Sequence, residues 1–173
     1  MAVGRTQNKR LAVPDSPAET AGFKSRCVVH AASMDDARRI VDVEEVPDEG
    51  DVLFTVSGVD GDETREGILL TLTEDVVAYE NYCQHWTDVR LDSGDGAAFR
   101  NGEIVCEKHG AYFETDSGYC NFGPCKGATL ELIDVAVANG GVYLTDDRYA
   151  FEHLGPADER TRSSGSRIGF SGS

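Results

Sequence analysis

Lysine is scarce in this chain: 4 residues of 173, against 12 Arg and 31 Asp plus Glu. With a formal net charge of −15, such a protein repels nucleic acid and anionic lipid and steers towards basic surfaces. Long apolar runs are missing as well. Nothing approaches the ~18 consecutive apolar residues of a membrane span, and Met1 to Arg10 contain no apolar segment of the kind a secretory signal needs. A cytoplasmic protein is therefore the default expectation. Five cysteines, unevenly spaced, are too few for a secreted disulfide scaffold. No Gly-rich loop carries a phosphate-binding Lys, and no Gly-x-Ser-x-Gly elbow occurs. Asp92-Ser-Gly-Asp-Gly resembles a calcium loop only superficially, because Gly94 and Gly96 stand where oxygen ligands are required.

The charge is unevenly distributed. Residues 35–148 hold 26 acidic and 8 basic side chains, whereas 1–34 hold 2 acidic and 5 basic, and 149–173 hold three of each. Residues 1–34 read as a flexible arm without apolar periodicity, and 149–173, with Gly155-Pro156 and a Ser/Arg-rich end, read as a second tail. Between them lies one domain, 35–148, with 40% hydrophobic residues in the chain to build a modest core. The Lys-poor, carboxylate-rich bias looks like that of proteins from high-salt cytoplasm, where a Debye length of about 3 Å at 1 M screens self-repulsion.

Inside the domain the pattern is β. Val52–Val56 alternates, Ile68–Thr73 is a short apolar run suited to a strand buried on both faces, and Val76–Tyr82 follows a tight turn at Glu74-Asp75. Asn101-Gly102 separates Ala97–Arg100 from Glu103–Cys106, and Asn139-Gly140 separates Leu130–Ala138 from Val142–Thr145. Asn-Gly between apolar runs predicts a two-residue hairpin, since both central residues of a type I′ turn need positive φ. The alternation slips between Leu132 and Ile133, which predicts a bulge. Ser33-x-x-Asp36 is placed to cap a short helical turn. Short antiparallel strands with frequent turns make the expected fold an all-β sandwich or small barrel.

Cys83-x-His85 and Cys106-x-x-His109 carry the chemistry. Four ligand-competent side chains in this order stand out in a chain with only 5 Cys and 4 His. Two imidazoles and two thiolates suit either tetrahedral Zn²⁺ or an iron–sulfur cluster with a His-ligated iron. Zinc sites usually group like with like, C-x₂₋₄-C and H-x₃₋₅-H, whereas here each pair is mixed. That mixture gives a dinuclear cluster one iron held by two thiolates and another held by two imidazoles.

Asn81-Tyr-Cys-Gln-His85, Cys106-Glu-Lys-His-Gly110, Phe113, Ser117-Gly118 and Gly123-Pro124 together resemble the Rieske [2Fe–2S] domain over about residues 37–146. The resemblance implies an antiparallel fold with a cluster-binding subdomain. In it Cys83 and Cys106 would ligate a buried iron, His85 and His109 an outer one, and Gly123-Pro124 would form a third loop over the cluster. Two ferric ions, two sulfides and two thiolates sum to zero charge, so neutral imidazoles make reduction easier than in an all-thiolate cluster, within roughly −150 to +300 mV. Respiratory members of the family carry an extra Cys in each box, joined as a disulfide; the matching residues here are Asp88 and Lys108. They also donate hydroxyl hydrogen bonds from positions matched here by Ala111 and Phe113. Together with the acidic field, this predicts the low-potential end, below about 0 mV.

Trp86, the only tryptophan, follows His85 and is expected to lie beside the outer iron, packing in the loop, facing a partner or shielding the cluster. Cys120 and Cys125 flank the third loop, as free thiols, as a local disulfide or in a redox or metal role; Cys27 reads as a free thiol, and His30 and His153 as surface residues. The leading functional expectation is a soluble Rieske-type ferredoxin, a carrier between a reductase donor and an oxygenase or other redox acceptor, without a catalytic site of its own. The 25 residues after 148, with one His, leave no room for a mononuclear iron domain. The alternatives are the small Rieske subunit of a larger oxidoreductase or respiratory complex, and a structural zinc module or cluster-based sensor.

Overall fold

The computed structural model describes residues 35–61, 63–73 and 75–158. Two 3₁₀ turns, Asp36–Arg38 and Val43–Glu45, accompany fourteen strands among these residues: β1 Arg39–Asp42, β2 Val52–Gly58, β3 Thr64–Thr71, β4 Val76–Glu80, β5 Tyr82–Cys83, β6 Trp86–Arg90, β7 Ala98–Arg100, β8 Glu103–Cys106, β9 Ala111–Glu114, β10 Cys120–Phe122, β11 Leu132–Ile133, β12 Val135–Ala138, β13 Gly141–Leu144 and β14 Tyr149–Leu154. The first 3₁₀ turn is capped by Asp35, whose carboxylate accepts from the Ala37 N–H at 3.3 Å; the expected cap, Ser33, lies outside the described residues.

All strand pairs are antiparallel. A five-stranded sheet, β11-β4-β3-β2-β14, carries a three-stranded sheet, β1-β13-β12, a four-stranded one, β10-β9-β8-β7, and the β5-β6 hairpin. Strands β3 and β4 show why the layers form. Their side chains alternate between faces: Ile68, Leu70, Val77 and Tyr79 enter a core with Ile104, Phe113 and Leu130. Leu69, Val76 and Ala78 enter a second core with Ile40, Val135, Val142 and Leu144. The central sheet is thus buried on both faces, as the unbroken apolar run of β3 predicts. Gly67 is opposite Phe54, and a Cβ there would lie 2.4 Å from the Phe54 ring, so a glycine is what lets that ring lie flat on β3.

Both Asn-Gly turns form as expected, with positive φ at Asn101 (53°), Gly102 (79°), Asn139 (49°) and Gly140 (78°). The predicted bulge between Leu132 and Ile133 is corrected. The run instead breaks after Ile133, where Asp134 separates β11, paired with β4, from β12, paired with β13. Asp134 accepts the Thr145 and Asp146 N–H groups on its carbonyl at 2.9 and 3.0 Å, which turns the chain from one sheet to the next.

The expected C-terminal tail from 149 is also corrected. Tyr149–Leu154 is strand β14, paired with β2 from Tyr149↔Gly58 to Leu154↔Phe54. Tyr149 and Phe151 pack on the second core, so apolar alternation outweighs the polar composition around them. Gly155 N–H then donates to the Leu53 carbonyl at 2.7 Å, and Ala157 N–H to Glu66 Oε1 at 2.9 Å. His153 is exposed, as expected. The N-terminal arm, Cys27, His30 and the segment 159–173 lie outside the described residues.

Candidate metal centre

Both mixed pairs sit on hairpins of the same design. Cys83 ends β5 and pairs with Trp86 at the start of β6, which leaves Gln84-His85 as the turn. Cys106 ends β8 and pairs with Ala111 at the start of β9, with His109 in the longer turn between them. Gly110 closes that turn at φ 68°, its N–H donating to the Cys106 carbonyl at 2.9 Å.

The strand ends point inward and the turns outward. Cys83 and Cys106 are 1% and 2% exposed, whereas His85 and His109 are both exposed. The two imidazoles stand edge to face, ring centroids 4.9 Å apart at 89°. The two thiols are within hydrogen-bonding reach of each other. Burial, then the contact with Cys83, raises the Cys106 thiol above its ordinary range. A thiolate pair buried here calls for positive charge beside it.

A third segment closes over the thiols. After β10 the chain turns through Gly123-Pro124-Cys125, and the Cys125 sulfur reaches both Cys83 and Cys120, the latter at 2.9 Å. Burial, then the Cys120 contact, pushes the Cys125 thiol up to about 11. Gly123, at φ 102°, is the hinge; a Cβ there would lie 2.6 Å from Ala111 Cα and 2.9 Å from the Gly110 carbonyl. The third loop therefore rests directly on the second hairpin. Ala111 and Phe113 are wholly buried and bring no hydroxyl to the thiols.

A buried polar clasp holds the first hairpin at its base. Asn81, fully buried, accepts on Oδ1 from the Leu91 and Asp92 N–H groups at 3.1 and 2.7 Å. Its Nδ2 donates to the Asp92 carbonyl at 2.7 Å and to Glu66 Oε2 at 3.2 Å. Glu66, also fully buried, takes Arg90 Nε at 2.7 Å, tying the end of β6 to the central sheet. At the rim Trp86, 51% exposed, stacks on His109 with ring centroids 5.9 Å apart and planes 4° from parallel. It shields one face of that imidazole rather than filling the loop interior.

Among the described residues, no three His, Cys, Asp or Glu side chains converge on a single point. A dinuclear cluster takes two donors at each of two points, which is how the two thiols and the two imidazoles are paired here, so the donor set fits the cluster. The four side chains singled out in the sequence meet as two pairs, thiol with thiol and imidazole with imidazole. The place of Trp86 beside the outer imidazole was expected; the Cys125–Cys83 contact and the Asn81–Glu66–Arg90 clasp were not. The proximity of Cys120 and Cys125 in the chain hinted at the first of these two.

The model of the Rieske [2Fe–2S] domain matches residues 24–138. No curated protein matches the chain. Among solved structures, the ferredoxin of carbazole 1,9a-dioxygenase from Nocardioides aromaticivorans IC177 is 21% identical, with 62% of this chain and 95% of that one aligned and a TM-score of 0.48. The Sphingomonas yanoikuyae B1 ferredoxin is 22% identical over 61% of this chain and 94% of that one, TM-score 0.45. A fluorene-bound oxygenase and ferredoxin complex of carbazole 1,9a-dioxygenase gives 16% identity over 61% of this chain and 27% of that one, TM-score 0.50, a likeness of fold. With the match covering most of the domain and the donor chemistry agreeing, the chain belongs to the Rieske [2Fe–2S] domain family, whose cofactor is a [2Fe–2S] cluster.

Proposed function

We propose that this chain is a one-electron carrier in which Cys83 and Cys106 hold the inner iron of the cluster and His85 and His109 the outer iron. One observation supports this reading above the others: two exposed imidazoles 4.9 Å apart beside two buried thiols in mutual contact. When bound, the cluster supplies reversible one-electron transfer within roughly −150 to +300 mV. The thiols contribute two charges where water is excluded, and the neutral imidazoles carry the centre to the surface, making the His85/His109 edge the electron port. Buried Ala111 and Phe113 donate no O–H bond, and 26 carboxylates against 8 cations in residues 35–148 oppose an added electron. Both favour the low end, below about 0 mV.

The partners are redox proteins: a reductase as donor and an oxygenase or another redox enzyme as acceptor. A Lys- or Arg-bearing face on the partner is what this surface would steer towards. Among the described residues no helix is long and apolar enough to cross a membrane. The lysine-poor acidic surface fits a cytoplasm of high salt, in which case molar KCl stabilises the fold; equal stability at low and molar KCl overturns that assignment.

Anaerobic purification followed by iron and sulfide analysis, with visible and EPR spectra before and after dithionite, tests the centre. Two irons and two sulfides per chain, and an EPR signal of low average g only after reduction, are expected. His85→Ala or His109→Ala is expected to abolish that signal. Colourless, iron-free protein after reconstitution, or an unaltered signal in both variants, overturns the reading.

A further inference from the structure

We propose that Cys120 and Cys125 form a second covalent redox site, a reversible dithiol–disulfide pair that takes a small-molecule disulfide as oxidant and lies against the Cys83 side of the metal centre. Neither sulfur belongs to the ligand set, which needs only two thiols. The sulfurs are 2.9 Å apart, closer than unbonded sulfur atoms ordinarily rest, and backbone bonds rather than the sulfurs set that approach. Cys120 N–H donates to the Ala128 carbonyl at 2.8 Å, Gly127 N–H to the Cys120 carbonyl at 2.9 Å, and Ala128 N–H to the Cys125 carbonyl at 2.9 Å. Closing the pair therefore demands no refolding of the loop.

Access assigns the roles. Cys120 is wholly buried and Cys125 is 9% exposed, between exposed Pro124 and exposed Lys126 and Gly127. Cys125 is the entry sulfur: it attacks one sulfur of the oxidant, forming a mixed disulfide and releasing one small thiol. Cys120 then attacks the Cys125 sulfur and expels the second thiol. Two electrons leave the protein pair and reduce the oxidant, and the two protein S–H protons end on the two released thiols. The one-electron centre takes no part.

The electrical consequence rests on the cluster reading given above. As a ligand, Cys83 only accepts hydrogen bonds, and Cys125 is the thiol within reach of it. A Cys125 S–H donor stabilises the more negative, reduced state; in the disulfide that donor is gone. Oxidising the pair therefore shifts the cluster potential downward.

Holoprotein equilibrated anaerobically in reduced/oxidised glutathione buffers, acid-quenched, alkylated and digested with trypsin tests the chemistry. The peptide His109–Lys126 contains both sulfurs and no other cysteine. Two alkyl groups are expected in reducing buffer; in oxidising buffer, none, with the mass of two hydrogens lost. Cys120→Ser should trap a glutathione adduct on Cys125. Two alkyl groups at every ratio, or no adduct in that variant, overturns the site. Film voltammetry of the same samples should show a lower potential in oxidising buffer, an unresponsive low potential in Cys125→Ala and, in Cys120→Ser, a high potential in reducing buffer that falls as the glutathione adduct forms on Cys125. Equal potentials in samples proven oxidised and reduced by mass overturn the coupling. Iron-free protein with a responsive peptide instead overturns the cluster reading and leaves the disulfide standing.

Discussion

Replacing Asn81 by Ala should be among the most damaging single changes in the domain, although Asn81 ligates nothing. Its side chain satisfies the Leu91 and Asp92 N–H groups and the Asp92 carbonyl within 3.1 Å, and all of this is buried. The Leu91 N–H keeps a second acceptor, the Asn81 carbonyl at 3.2 Å, so the Asp92 N–H and carbonyl are the groups left stranded. Each stranded buried group costs about 1–3 kcal/mol, and the Glu66 carboxylate loses one of its donors while still facing Arg90. A total loss of about 3–5 kcal/mol follows, a large part of the ~5–15 kcal/mol that holds a typical domain together. Because β5 and β6 spread from this point, the variant should also lose cluster absorbance faster at fixed temperature. Denaturant unfolding of wild type and variant at one salt concentration measures the first effect, and the decay of visible absorbance the second. As a surface control, Ser117→Ala, at an exposed hydrogen bond, should cost less than about 0.5 kcal/mol. A loss below about 1 kcal/mol for Asn81→Ala would refute the claim that this clasp fixes the first hairpin.

Gly123→Ala places a Cβ 2.6 Å from Ala111 Cα at φ 102°, and backbone cannot yield as a flexible side chain does. It should cost about 2 kcal/mol or more and raise the iron-loss rate, read by chelator challenge; wild-type iron retention would contradict it. Asp51 is raised from 3.8 to about 6, chiefly by burial and secondarily by the charge of Asp92. Its folded value exceeds its unfolded one, so its contribution is complete below pH ~4 and lost as pH rises through 6. After discounting for residual solvent contact, that is roughly 1 kcal/mol. Asp51→Asn should remove this part of the fall in stability between pH 4.5 and 7.5, measured by urea unfolding, and an unchanged profile would exclude it. Trp86, stacked on His109, should have its fluorescence quenched in loaded protein and recovered several-fold on cluster removal; equal emission in both forms would place it away from the centre.

What the sequence disclosed follows the range of the interactions. Asn101-Gly102 and Asn139-Gly140 were legible because a two-residue turn is dictated by φ at its own residues. The double burial of β3 was legible because Ile68, Leu69 and Leu70 are consecutive. The break at Asp134 was not, since it depends on which sheet each half of the run finds as partner, a non-local choice. Strand β14 was missed because Gly155-Pro156 and the charged residues beyond it coloured the reading of Tyr149–Leu154, whose apolar side chains matter only once β2 is there to receive them. In the site, Cys83, His85, Cys106 and His109 were visible as residue types at fixed spacing. The Asn81 clasp was not, because its meaning lies in Glu66, Arg90 and Asp92, which converge only in three dimensions.

The two boxes differ in spacing yet deliver the same inner and outer halves, and the hairpins explain how. In β8, Ile104 and Cys106 are buried while Val105 between them is not, so pleat alternation alone aims Cys106 inward. The imidazole must come from beyond the strand end, where nothing constrains it to face the core. The first hairpin turns in two residues, Gln84 and His85, so its His follows Cys83 by two positions. The second turns in four, Glu107 to Gly110, so its His follows Cys106 by three. Spacing therefore tracks turn length, and the chemical asymmetry, sulfur within and nitrogen at the surface, is inherited from where each strand stops. Moving either Cys one residue along its strand would turn its sulfur away from its partner thiol even if the overall fold survived. The pattern Cys-x-His with Cys-x-x-His is thus a statement about two strand ends before it is one about iron.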